Sequence, residues 1–140
     1  MVTAALWSHR SLCRRASVGC VITSYDDRQI HSFGYNGPAK HIEHHNCRGT
    51  PSMCQCLHAE ENAIIRLRNG CLGSMNIYTT TFPCYMCAQR IIQAETITRL
   101  FYWMNYRRES ESRKILHDAD IDIVPIEIAN FTFSYESNEE

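Results

Sequence analysis

An α/β fold, with a mixed sheet of about five strands held in a three-layer α/β/α sandwich, is what this 140-residue sequence predicts. The elements read in order as a helix, a hairpin and then β-α repeats, the pattern of a mixed sheet with helices on its faces. The length suits one domain over 1–140, with room for a proper core and without linker, repeat or low-complexity segment. The two groups of chemistry-bearing residues both fall at starts of helices, where an α/β sheet gathers its ligand sites.

Thr3 to Cys13 reads as an opening helix, with Ala4, Ala5, Leu6 and Leu12 apolar. Ser17 to Thr23 reads as a buried strand, 26–27 as a turn, and Gln29 to Tyr35 as its hairpin partner. The cluster Gly34-Tyr35-Asn36-Gly37-Pro38 is loop-forming by composition. Ala39 to Gln55 shows no periodicity and holds His41, His44, His45, Cys47 and Cys54, with Cys56 just beyond. A loop that long in a compact domain needs a function or a staple. Leu57 to Asn69 carries Ala59, Ala63, Ile64 and Leu67 at helical spacing, and Gly70 is a natural stop. Met75 to Thr81 is rich in β-formers. Pro83 then suits the first turn of another helix, continued by Ala88, Ile91 and Ile92. Ile97 to Met104, Ser110 to Ala119 and Ile121 to Ile128 complete the set as strand, helix and strand. The acidic tail 135–140 is expected to fray.

Charged residues make up 21% and hydrophobic ones 44%, ordinary for a soluble globule. The net charge of −1 gives no global field toward nucleic acid or membranes. No apolar run reaches membrane length, and no signal-peptide pattern opens the sequence, so the expected location is the cytoplasm. Thiols stay reduced there, and eight cysteines read as metal ligands before disulfides.

The chemistry concentrates in His58-Ala59-Glu60 and Pro83-Cys84-Tyr85-Met86-Cys87. One imidazole and two thiolates give zinc three ligands and leave a tetrahedral fourth position for water. Zinc brings such a water's pKa toward neutrality, and an acid two residues after the histidine can take its proton. His58 and Cys84 sit at two helix starts, Cys87 lies one turn beyond Cys84, and the helix dipole favours thiolate there. A redox Cys-x-x-Cys has no use for His58 or Glu60, and a structural zinc normally takes a fourth protein ligand. The joined H-x-E…P-C-x-x-C pattern is that of zinc-dependent nucleobase deaminases.

From about Cys13 to about Ile126 the sequence resembles the deoxycytidylate (dCMP) deaminases, within the cytidine deaminase-like fold. The likeness rests on Cys-Arg-Arg-Ala-Ser-Val-Gly-Cys-Val-Ile (13–22), Gly-Tyr-Asn-Gly (34–37), His-Ala-Glu-Glu-Asn-Ala-Ile (58–64) and Phe-Pro-Cys-Tyr-Met-Cys-Ala (82–88). Val-Gly-Cys stands where the family usually has Val-Gly-Ala, and Met86 is commoner in the tRNA adenosine branch. The resemblance implies catalytic zinc on His58, Cys84 and Cys87, with Glu60 as proton shuttle. It implies hydrolysis of dCMP to dUMP and ammonia, which supplies thymidylate synthesis. Asn36 resembles the sugar-binding residue, against the plainer reading of Asn-Gly as a turn. Ala59 and Tyr106 are further substrate-binding candidates.

Cys13 and Cys47 match family positions that hold a structural zinc in some members, and Cys54 or Cys56 lies where a further thiolate is expected. The alternatives are buried thiols acting as small hydrophobes, as expected for Cys20 and Cys71, or His44 or His45 replacing one thiolate. Many such enzymes are hexamers regulated by dCTP and dTTP, which makes a homo-oligomer the expectation and Arg68 a regulatory candidate. Arg107, Arg108, Arg113 and Lys114, interleaved with Glu109 and Glu111, read as a solvated helix face. Other readings stay open at this point: dCTP or a 5-substituted dCMP as substrate, a polynucleotide (tRNA adenosine or single-stranded cytidine) deaminase, or a non-catalytic zinc-stapled binding module.

Overall fold

The computed structural model describes residues 1–42, 54–67 and 73–127. Its elements are α1 (Val2–Ser8), β1 (Gly19–Ser24), β2 (Ile30–Tyr35), α2 (Ala59–Ile65), β3 (Met75–Thr81), α3 (Tyr85–Gln93), β4 (Ile97–Met104), α4 (Ser110–Asp118) and β5 (Asp122–Pro125). Five strands form one mixed sheet in the order β2-β1-β3-β4-β5. β1 runs antiparallel to both β2 and β3, whereas β3, β4 and β5 are mutually parallel. β2 and β3 therefore point the same way on either side of β1, and the chain leaves both at the same end of the sheet. α2 and α3 begin from that end.

Two glycines set how closely the layers approach. A Cβ on Gly19 would meet the Ala4 carbonyl oxygen of α1 at 1.9 Å, and one on Gly34 would meet the Ala59 oxygen of α2 at 2.1 Å. Gly19 faces Tyr35 across the hairpin and Gly34 faces Cys20, so these contacts lie on opposite faces and the layers number three. Trp7 of α1 stacks on Phe33 at 3.9 Å between ring centroids and closes its side. On the other face Cys20, Ile22, Ala63, Ile77, Ala88, Ile91, Leu100 and Leu116 form the core beneath α2, α3 and α4. Cys20 is fully buried there and packs as a small apolar residue.

Element boundaries are tighter than the sequence pattern predicts. α1 ends at Ser8, since Ser11 leaves the helix to hydrogen-bond Asn36. α2 ends at Ile65, and β5 spans only Asp122–Pro125. Pro83 lies before the N-cap of α3, where its fixed φ holds the extended entry, and not in the first helical turn. Most of the loop 39–55, the segment holding Arg68 and Cys71, and the tail 135–140 lie outside the described residues.

Candidate active site

The sheet order brings the two helix starts together. His58 is the N-cap of α2, with ψ at 160°, and Cys84 is the N-cap of α3, with ψ at 168°. Extended backbone at each cap turns the side chain off the helix axis. His58 Nδ1 lies 3.4 Å from Cys84 Sγ and 3.3 Å from Cys87 Sγ. The three donors all fall within 4.8 Å of one another. Zn–N and Zn–S bonds of about 2.0 and 2.3 Å at a tetrahedral angle place N and S about 3.5 Å apart, so the set fits zinc without rearrangement. An ion pair between Arg90 and Glu61, at 3.0 Å, ties α3 to α2 beside this set.

The protonation pattern is that of donors crowded together. A hydrogen bond from Cys87 brings the Cys84 pKa down to about 4 against the opposing effect of burial, and His58 adds to the fall. The same bond, with burial, drives the Cys87 thiol far up. His58 is raised by its bond to Cys84, against burial. Loss of the proton is favoured at Cys84 and opposed at Cys87, and a cation bound by the pair would favour thiolate at both. Glu60 is 3% exposed, and burial raises its pKa to about 6.

One cleft collects the residues that the sequence singles out. Asn36, Ala59, Tyr106, His58, Glu60 and Cys84 all line it. Asn36 is buried and already engaged: its Nδ2 donates to the Ala16 oxygen at 2.7 Å, and its Oδ1 accepts from Val18 N–H at 2.8 Å. It thus braces the 11–18 loop, and among the described residues its second N–H has no hydrogen-bond acceptor. Its neighbour Asn62 donates to the Tyr35 oxygen at 2.9 Å, fixing α2 to the end of β2.

A second thiol group adjoins the same cleft. Cys13, Cys54 and Cys56 offer donors within 4.8 Å of one another, and Cys13 Sγ lies 3.5 Å from Cys54 Sγ. Sulfurs on a tetrahedral zinc stand about 3.8 Å apart, so this set also fits. Burial and the neighbouring Cys54 raise the Cys56 pKa. Cys47, His44 and His45 lie outside the described residues.

Sequence reading misses the far wall of the cleft. Arg113 is not simply solvated. Its guanidinium sits 4.4 Å from the Phe82 ring and donates to Glu109 and to the Tyr102 hydroxyl. Phe82, which Arg113 backs, lines the cleft together with Arg15. Only the i,i+4 spacing of Glu109 and Arg113 was there to be read, and it signals an ordinary exposed pair.

An α/β sandwich that gathers a histidine, two cysteines and a buried acid at two helix starts is the layout of a metal-dependent domain. Residues 1–104 match the family described as the cytidine and deoxycytidylate deaminase zinc-binding region, and the chain belongs to that family. It is 34% identical over 134 residues to the deoxycytidylate deaminase of Saccharomyces cerevisiae, covering 88% of this chain and 42% of that protein. It is 32% identical over 110 residues to the deoxycytidylate deaminase of Mycobacterium phage D29, covering 68% of this chain and 84% of that one. The chain thus spans less than half of the yeast relative's length. Among solved structures, the dCMP deaminase of cyanophage S-TIM5, crystallised with dCMP and dUMP, superposes with a TM-score of 0.76 at 25% identity. That match covers 89% of this chain and 92% of the phage protein. Among the described residues no helix is long and apolar enough to cross a membrane.

Proposed function

We propose that this chain hydrolyses dCMP to dUMP and ammonia, with His58, Cys84 and Cys87 holding Zn²⁺ and Glu60 moving the proton. The observation that carries this reading is the buried Glu60 carboxyl beside a three-donor centre at the base of one cleft. Zinc held there supplies Lewis acidity that lets a water lose its proton near neutral pH. Glu60 takes that proton on a carboxylate oxygen and delivers it to N3 of the cytosine. The water's oxygen bonds to C4, Glu60 takes that oxygen's remaining proton and passes it to the exocyclic amine, and the C4–N bond breaks to release ammonia, so the carboxyl alternates between base and acid. Burial keeps competing water away from this carboxyl. Asn36 and Tyr106 line the cleft where the nucleoside would lie. The phage D29 and S-TIM5 relatives, described as dCMP deaminases, support the choice of nucleotide.

Cys13, Cys54 and Cys56, with Cys47 as the fourth thiolate, hold a second, structural zinc in this reading. A homo-oligomer, a hexamer by resemblance, with dCTP or dTTP bound near Arg68, completes it. Ammonia release from dCMP, dCTP, 5-methyl-dCMP, deoxycytidine and an adenosine-containing tRNA stem-loop tests the substrate. dCMP is expected to be consumed fastest, and turnover of the stem-loop alone would overturn the assignment. Metal counting on the purified chain should give two zinc ions, and one would remove the structural site. Light scattering with and without dTTP tests assembly and effector binding.

A further inference from the structure

The Glu109–Arg113 pair at the start of α4 lies outside the metal centre, yet two of the residues it touches line the cleft. Glu109 Oε2 accepts from the backbone N–H of Tyr106 at 3.1 Å, while its Oε1 accepts from Arg113 Nη2 at 3.0 Å. The same guanidinium group donates to the Tyr102 hydroxyl at 3.2 Å and lies 4.4 Å from the Phe82 ring. Tyr106 and Phe82 both line the cleft. A single carboxylate thus fixes the loop after β4 with one oxygen and a cation backing an aromatic wall with the other. The Glu109 side chain is only 24% exposed and that of Arg113 37%, so the pair is partly shielded from water. Charge-assisted bonds of this kind are shorter and stronger than neutral ones.

We infer that Glu109 and Arg113 are positioning residues that hold one wall of the substrate cleft, acting through Tyr106 and Phe82. The inference rests on the dCMP deaminase reading of the site. A planar guanidinium can lie flat on Phe82 and bond two oxygens together, whereas an ammonium cannot, so lysine is not an equivalent at 113. Neither residue moves a proton in the reaction, and losing either weakens substrate binding while leaving the chemical step in place.

A double-mutant cycle on the intact zinc-loaded chain tests this. Glu109→Ala should raise KM for dCMP roughly ten-fold, the scale of one charge-assisted bond. Its kcat should stay within about two-fold of the parent's, with unchanged zinc content. Tyr106→Ala should raise KM as well, and Glu109→Ala added to it should raise KM by a smaller factor than it does in the parent. Arg113→Lys should repeat the Glu109→Ala pattern, and it serves as the cycle's arm if Glu109→Ala does not fold. A fall in kcat at unchanged KM, or KM effects that multiply in the double variant, overturns the inference. An unmutated chain that holds zinc but consumes no dCMP overturns the functional reading instead.

Discussion

At Glu60 a carboxyl group is kept from water in the cleft it shares with His58 and Cys84, where the proposed reaction moves a proton. Glu60→Gln keeps the shape and removes the transferable proton. It should retain zinc and its melting temperature while turnover falls by at least about 10²-fold, the usual contribution of general acid–base catalysis. Substantial residual activity would refute the shuttle. Asn36 presents a different case. Both ends of its amide hold the 11–18 loop, and Asn36→Ala takes the acceptor from the Val18 N–H and the shorter of two donors from the Ala16 oxygen. A loss of about 1–3 kcal/mol in stability is expected, read from a denaturant titration, together with a raised KM. These two residues also show what a sequence can and cannot carry. The place of Glu60 is legible because His58, two positions away, lines the same cleft. The loop-bracing bonds of Asn36 reach back to residues 16 and 18, and no local pattern announces them.

Among the elements, α2, like α1 with Gly19, depends on a single small neighbour. Gly34 of β2 lies beneath it, and an added methyl would meet both the Ala59 oxygen at 2.1 Å and the Ala63 nitrogen at 2.6 Å. Both are backbone atoms and neither can swing aside. Gly34→Ala should therefore lift α2 from the sheet, costing about 1–3 kcal/mol in overpacking. Zinc affinity should fall with it, since His58 caps that helix, and competition with a coloured chelator reads the change. The strands over 75–81 and 97–104 match their predicted spans because β-rich composition and flanking breakers agree. Pro83 precedes the cap of α3 instead of opening the helix. Whether a proline opens a helix or precedes its cap is decided by the backbone of the next residue. Here Cys84 stays extended, with its sulfur 3.4 Å from His58 Nδ1. The Arg113 contact with Phe82 joins two distant segments, so periodicity along α4 could not reveal it.

Over the whole molecule, the end of the sheet away from the cleft is held by Asp27. Burial pushes its carboxyl up, but Thr23, Asn76 and Tyr78 donate to it at 2.6, 2.7 and 2.8 Å and bring its pKa below the ordinary value. A depressed carboxylate contributes stability that is complete above the unfolded pKa of about 4 and disappears as pH falls through the folded value. The melting temperature should accordingly drop in acid. Asp27→Asn should melt lower at neutral pH and lose less on acidification, and asparagine tolerates the φ of 60° found there. Equal acid sensitivity in parent and variant would assign the pH dependence to other groups.

Gly37 and Leu57 exchange both backbone hydrogen bonds, at 3.1 and 2.9 Å, one residue before His58. This pairing works like a knot at the neck of a bag. A change of chain length between the two residues is expected to leave the histidine in place. Homologues with very different inserts at this point are therefore expected to present the same imidazole to the same two sulfurs.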